Sequence, residues 1–129
     1  MPNSLRKIGA ISLFVSDLAT ARAFYHAVFE AATIYEDAES AVMGFDNVMI
    51  NLLKISEAPA LISPAKVATQ VDGVRCQFSI FVDNVDDVCS RLEGLGITLL
   101  TQPQNREWGK RTATFEDPDG HNWEVAHDL

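Results

Sequence analysis

An internal repeat limits what this chain can fold into more than any other feature. Shifting the sequence by 67 positions lays Ile11-Ser12-Leu13-Phe14-Val15-Ser16-Asp17-Leu18 on Phe78-Ser79-Ile80-Phe81-Val82-Asp83-Asn84-Val85. Ser, Phe and Val recur in place, and most of the other positions keep their character. Self-similarity at a fixed offset marks one supersecondary unit used twice, so whatever the first copy forms the second should form too. Ile8 to Val15 alternates as a strand, with Ile11, Leu13 and Val15 on one face and Ala10, Ser12 and Phe14 on the other. Asp17 then caps a helix whose buried stripe is Leu18, Ala21, Tyr25 and Val28, widened by Phe24. In the second copy Asn84 takes the capping role, Val85, Val88, Leu92 and Leu95 supply the stripe, and Gly96 is placed to end the helix. Asp86 and Asp87 sit favourably at that helix's positive end.

Strands complete each half. Ala41 to Phe45 and Val48 to Leu53 read as a hairpin turning through Asp46-Asn47, which puts Asn51 on one face with Met49 and Leu53. From Ile55 to Arg75 the periodicity fades, and Pro59 and Pro64 punctuate a connection holding either a short helix or a loop. In the second half, strand-like runs fall at Ile97 to Leu100, Arg111 to Glu116 and Trp123 to His127. The last two flank Asp117-Pro118-Asp119-Gly120, whose Asp, Pro and Gly suit the first, second and fourth places of a type I turn. Each half thus reads strand, helix, then two or three strands. The expected organisation is a single domain over residues 1–129, with module 1 at about 5–54, a connection at about 55–74 and module 2 at about 75–129.

One face of each sheet is densely aliphatic and would meet the helix. The other mixes small, polar and aromatic groups: Ala10, Ser12, Phe14 and Asn51 in the first half, and Gln77, Ser79, Phe81 and Glu124 in the second. Such a mixture suits a surface holding a small molecule. Glu124, set between Trp123 and Val125, is either a solvated sheet residue or part of that site. Trp108 is either a lid or platform for a ligand or a buried anchor of the Gly109 turn. Arg111 could clamp an anion, but a structural ion pair with a nearby acid is favoured. His26, His121 and His127 read as surface or local hydrogen-bonding residues, His127 lying on the face opposite Glu124.

Ten Lys and Arg against eighteen Asp and Glu give a formal charge of −8, which excludes the basic footprint of a nucleic-acid binder and mildly favours a cationic ligand. The two cysteines, Cys76 and Cys89, have no metal or redox spacing. No apolar run approaches the roughly 18 residues of a membrane span, and Met1 to Lys7 is polar with no apolar core after it. A cytoplasmic protein with neither membrane nor nucleic-acid partner is expected.

Together these residues resemble a known family. A strand ending V-S-D-L, A-x-x-F-Y on the first helix, F-V-D-N-V-D-D-V in the second half, and the closing W-G-x-R and F-E-D-P-D-G-H-x-W-E-V are similar to the vicinal oxygen chelate superfamily. That superfamily is the glyoxalase, bleomycin-resistance and extradiol-dioxygenase group. The resemblance spans essentially the whole chain. It implies an α+β fold of two βαβββ modules forming an incomplete, cup-like barrel, commonly within a homodimer. Glu30 stands where the family's first helix usually ends in Gly. The resemblance also carries the family's metal-ligand positions onto Ala10, Asn51, Gln77 and Glu124. Ala10 has no donor atom, Asn51 is a neutral amide, Gln77 is a weaker ligand than His, and only Glu124 matches. No tightly bound cofactor is therefore expected, and at most a weak divalent metal.

Two functions from different classes follow. The leading one is a glyoxalase/bleomycin-resistance-like protein that binds a small organic molecule without transforming it. Ser12, Phe14, Asn51, Gln77, Ser79, Phe81, Trp108 and Glu124 would contact that ligand. The second is a lyase or isomerase of a vicinal-oxygen substrate, with Glu124 catalytic as general base or as ligand to a weak metal. Extradiol dioxygenase chemistry ranks lower, because two members of its two-His, one-carboxylate triad are missing. A third arrangement leaves the open faces idle and works through a dimer surface.

Overall fold

The computed structural model of the chain describes residues 3–129. In chain order its elements are β1 (Ala10–Val15), α1 (Leu18–Phe29), β2 (Ala32–Glu36), β3 (Ser40–Gly44), β4 (Met49–Lys54), α2 (Ala58–Ile62), β5 (Phe78–Phe81), α3 (Val85–Gly94), β6 (Thr101–Asn105), β7 (Lys110–Glu116) and β8 (Asn122–Asp128). The chain divides into two compact units, one up to Ala68 and the other Thr69–Leu129. Each holds one βαβββ module, so the repeat is a structural one. The class is α+β, built on two four-stranded mixed sheets ordered β1-β4-β3-β2 and β5-β8-β7-β6. Neither sheet closes on itself.

The same local chemistry builds both units. Asp17 accepts the amide of Thr20 at 2.9 Å and Asn84 that of Asp87 at 3.1 Å, so each helix starts on a side-chain cap. The caps differ in kind but not in place. In the first unit Ala21, Tyr25 and Val28 of α1 are buried, as are Leu13, Val15, Ala41, Met43, Ile50 and Leu52 on the covered side of the sheet. In the second, Val85, Cys89 and Leu92 of α3 and Ala113, Phe115, Trp123 and Val125 play the corresponding part. Apolar residues recurring every three or four positions meet apolar residues recurring every two, and that match seats each helix on its sheet.

The helices end differently. Leu95 closes α3, after which the amide of Gly96 (φ 85°) reaches the Glu93 carbonyl and that of Ile97 the Leu92 carbonyl, each at 3.0 Å. This is a Schellman closure, for which glycine is suited. At the end of α1 the left-handed residue is Glu30, at φ 56°.

Two strand expectations need correction. Ile97 to Leu100 is not a strand: Ile97 completes the closure of α3, Leu99 is buried beyond it, and β6 begins at Thr101. The β6 sequence Thr-Gln-Pro-Gln-Asn has no apolar alternation, and Pro103 is tolerated because β6 is an edge strand whose register shifts between Thr101 and Gln104. The edge strand β2 was not recognised either, since all five of its residues are exposed and its pairing with β3 is broken between Thr33 and Tyr35. The connection contains α2 and two single turns of 3₁₀ helix, at Ile55–Glu57 and Gln70–Asp72.

Candidate functional site

Register places the predicted site residues. In the first unit β1 runs parallel to β4 with Ala10 opposite Met49, Ser12 opposite Asn51 and Phe14 opposite Leu53, all on the face away from α1. Asn51 Nδ2 donates to Ser12 Oγ at 3.2 Å. This face is neutral: Val42, beside Asn51, and Ser40, beside Leu53, add no charge.

In the second unit β5 runs parallel to β8, pairing Ser79 with Glu124 and Phe81 with Ala126. Ser79 Oγ donates to Glu124 Oε1 at 2.7 Å. Gln77 stands just before β5, and its Nε2 donates to Asn122 Oδ1 at 2.8 Å. Phe81 is 76% exposed, and Lys110, which pairs with Asp128, holds its ammonium 5.2 Å from the centre of the Phe81 ring. Ser12, Phe14, Asn51, Ser79, Phe81 and Glu124 therefore lie on the open faces of their own sheets, with Gln77 just ahead of β5.

Trp108 is 67% exposed in the turn between β6 and β7, so it is no buried anchor. The guanidinium of Arg106 lies over its indole, 5.4 Å from the ring centre, and Arg106 Nε donates to Thr112 Oγ1 at 3.0 Å. Thr112 and Thr114 face the same side as Glu124, because Thr114 is paired with Glu124 across the β7–β8 ladder. Sequence reading missed Arg106, Lys110, Thr112 and Asn122. One signal was present: in β7, Lys110, Thr112 and Thr114 alternate with Arg111, Ala113 and Phe115, a polar row on the parity of Glu124.

The remaining polar candidates are structural. Arg111 reaches Asp86 of α3 with Nε at 2.7 Å and Nη2 at 2.8 Å, and Asn105 with Nη1 at 2.9 Å. The hydrogen bonds from Arg111 hold the Asp86 carboxyl below its usual pKa, and those to Asp86 raise that of Arg111. His127 Nδ1 accepts the Val85 amide at 2.9 Å and so helps to start α3. His26 Nδ1 lies 3.3 Å from the Ala31 carbonyl oxygen.

At the β7–β8 turn Asp117 is 3% exposed, and its Oδ1 accepts the amides of Asp119 at 3.0 Å and His121 at 2.9 Å. Its Oδ2 lies 2.7 Å from His121 Nδ1. Burial alone would lower the pKa of His121, but the hydrogen bond and the charge of Asp117 outweigh it and leave that pKa raised.

The donor chemistry does not suit the metal that the fold family implies. Ala10 offers no donor, Asn51 and Gln77 offer only neutral amide oxygens, and Glu124 is the one carboxylate among the four positions. Among the described residues no three His, Cys, Asp or Glu side chains converge. A separate pocket of about 390 Å³ opens beside the start of α1, lined in part by Asp17, Arg22, Glu36 and Lys54. It holds none of the open-face residues, and Asp17 is engaged as the cap while Arg22 is paired with Glu36.

The sequence profile of the Glyoxalase/Bleomycin resistance protein/Dioxygenase superfamily matches residues 7–125. The chain belongs to this superfamily. The metallothiol transferase FosB of Lysinibacillus sphaericus is 26% identical over 121 residues, covering 94% of this chain and 82% of that protein. Among solved structures, a glyoxalase/bleomycin resistance protein/dioxygenase from Nocardioides superposes with a TM-score of 0.85 at 21% identity, covering 98% of this chain and 85% of that one. The lactoylglutathione lyase of Agrobacterium tumefaciens gives 0.77 at 21% identity, covering 96% and 95%. At such identities the structural matches establish the superfamily fold. No helix among the described residues is long and apolar enough to cross a membrane.

Proposed function

We propose that this superfamily member binds a small organic molecule on the open sheet faces, as a cytoplasmic homodimer and without a tightly bound metal. One observation carries the reading: on the second sheet the Ser79–Glu124 pair, a fixed polar group, stands on the same face as the exposed ring of Phe81. Flat apolar area beside a few placed polar groups is what a small-molecule site needs, and Trp108 adds to it at the β6–β7 turn. Ser12, Phe14 and Asn51 supply the neutral counterpart on the first sheet, and Gln77 a further polar group on the second.

The free oxygen of Glu124 favours a second reading. Its Oε1 is held by Ser79, while Oε2 has no hydrogen-bond partner among the described residues. A carboxylate so oriented is able to take a proton from a substrate carbon, as a general base in a lyase or isomerase. The names of two similar proteins, a transferase and a lyase, keep that reading in view.

The test begins with metal content by mass spectrometry on untagged protein purified without chelator, followed by a thermal-shift screen of small molecules. Near-stoichiometric divalent metal would overturn the metal-free reading. For a ligand found in the screen, Phe81→Ala or Trp108→Ala should weaken binding about tenfold, the scale of one lost aromatic contact. Glu124→Gln should weaken it by only about threefold, roughly one modest hydrogen bond. If the aromatic changes leave affinity untouched, the site is misplaced. If the ligand is turned over and Glu124→Gln abolishes turnover, the enzyme reading replaces the binding one.

A further inference from the structure

The β6–β7 hairpin uses its two flanking arginines in opposite ways. Arg111, on the helix-covered face, has Nε, Nη1 and Nη2 all engaged by Asp86 and Asn105. Arg106 donates only through Nε, to Thr112, and its Nη1 and Nη2 have no partner among the described residues. It is half-buried, and the Thr112 bond together with the Trp108 ring fixes the plane of its guanidinium. The chain carries eighteen acids against ten Lys and Arg, yet none of the described acids closes this fork. A planar donor pair held rigid with its outer edge open is shaped for a carboxylate, which it meets with two parallel hydrogen bonds.

The surroundings narrow the ligand further. Thr112 is opposite Ala126, the residue that also faces Phe81, so Arg106 is anchored on the same stretch of open face as the Phe81 ring and Lys110. The next polar row along the strands is Thr114, Glu124 and Ser79. At one end of the face Lys110 is neutralised by Asp128, so the unpaired charge beside the aromatic rings is that of Arg106, and at the other end stands Glu124. The chain's net charge of −8 disfavours a dianion such as a phosphate monoester more than a monoanion.

We infer that the open face of the second unit takes a flat aromatic molecule bearing one carboxylate, with Arg106 as the specificity-determining residue that grips the anion beside Trp108. This rests on the binding function proposed above. It reverses locally the preference for cationic ligands that the overall charge suggests.

The test compares 2-naphthoate with 2-naphthamide by calorimetry on the full chain, since the two are nearly isosteric and differ in charge. Naphthoate should bind at least about tenfold more tightly, the scale of a charge-assisted hydrogen bond. Arg106→Gln should weaken naphthoate far more than naphthamide and so erase that preference, and Arg106→Lys should restore part of it. Trp108→Ala should weaken both probes alike. Equal binding of the two probes to the unaltered chain removes the inference and leaves the binding function standing. A preference that survives Arg106→Gln assigns the anion to another residue and overturns it. Failure of both probes, together with no stabilising compound in the thermal-shift screen, overturns the inference and the binding function together.

Discussion

Ser12 stands beside Asn51 on the first sheet as Ser79 stands beside Glu124 on the second, yet one pair is neutral and the other carries a charge. The aromatic residue two places on shows the same divergence. Phe14 lies opposite Leu53 and is half-buried, whereas Phe81 lies opposite the small Ala126 and is largely exposed. Both strands place their residues through identical parallel register, so the backbone supplies the positions and single substitutions decide the chemistry. A pair of matched scaffolds can then diverge at the face without disturbing the core, because strand alternation separates the two sets of side chains.

The sharpest way to test that comparison lies at the turns that close the two sheets. Asp117 is buried and accepts hydrogen bonds from two amides, whereas Asp46, in the corresponding β3–β4 turn, is exposed. Asp117→Ala should cost about 3 kcal/mol or more, because buried donors lose their acceptor, as chemical denaturation would show. Asp46→Ala should leave the denaturation midpoint nearly unchanged. Equal effects would mean that the second turn is no more anchored than the first.

The helix ends give a smaller contrast. An added Cβ at Gly96 meets nothing within 4 Å, so Gly96→Ala carries only the left-handed backbone penalty, about 1–2 kcal/mol. Glu30 already bears that penalty, and Glu30→Gly should stabilise by about 0.5–1 kcal/mol once the looser unfolded chain is counted. Opposite signs from these reverse exchanges would confirm that each helix is followed by a residue held in the left-handed conformation.

The smallest effect is in pH, and it belongs to the second unit's turn. The folded pKa of His121 is raised above the ordinary 6.5, so its stabilising contribution is complete below that value and is lost as pH rises through the raised one. Denaturation midpoints of the parent and of His121→Gln should therefore differ more at pH 6 than at pH 9. A difference that grows with pH would reverse the assigned sign.

Most of the architecture was legible because the apolar residues carry it. The stripe of α1, the Val85 and Leu92 positions of α3, the caps at Asp17 and Asn84, and the alternation in β1, β4, β7 and β8 all follow from positions that must be buried or bonded. Leu95, expected in the α3 stripe, lies past the helix end and is exposed, and Cys89 is buried instead. β2 and β6 were not legible for the converse reason: edge strands need no buried face, and their pairing is set by neighbours and not by their own residues. Ile97 to Leu100 misled because apolar residues closing a helix look, in a short window, like those of a strand. The open-face residues could be placed by parity, and the departure from the family's metal-ligand pattern was visible in the residue types alone. Arg106 could not be found in this way, since its role depends on which of two nearby arginines meets Asp86.

The strand order of the second sheet has a bearing on motion. β8 lies between β5 and β7, hydrogen-bonded on both sides, while β6 is an edge strand with a proline and a broken register. Glu124 is therefore fixed to the stretch of backbone whose amides should exchange with solvent most slowly, and Arg106 and Trp108 ride on the stretch whose amides should exchange fastest. A molecule held between them would touch a stiff wall at one end and a yielding one at the other, and its arrival should slow exchange in the β6–β7 turn far more than in β8.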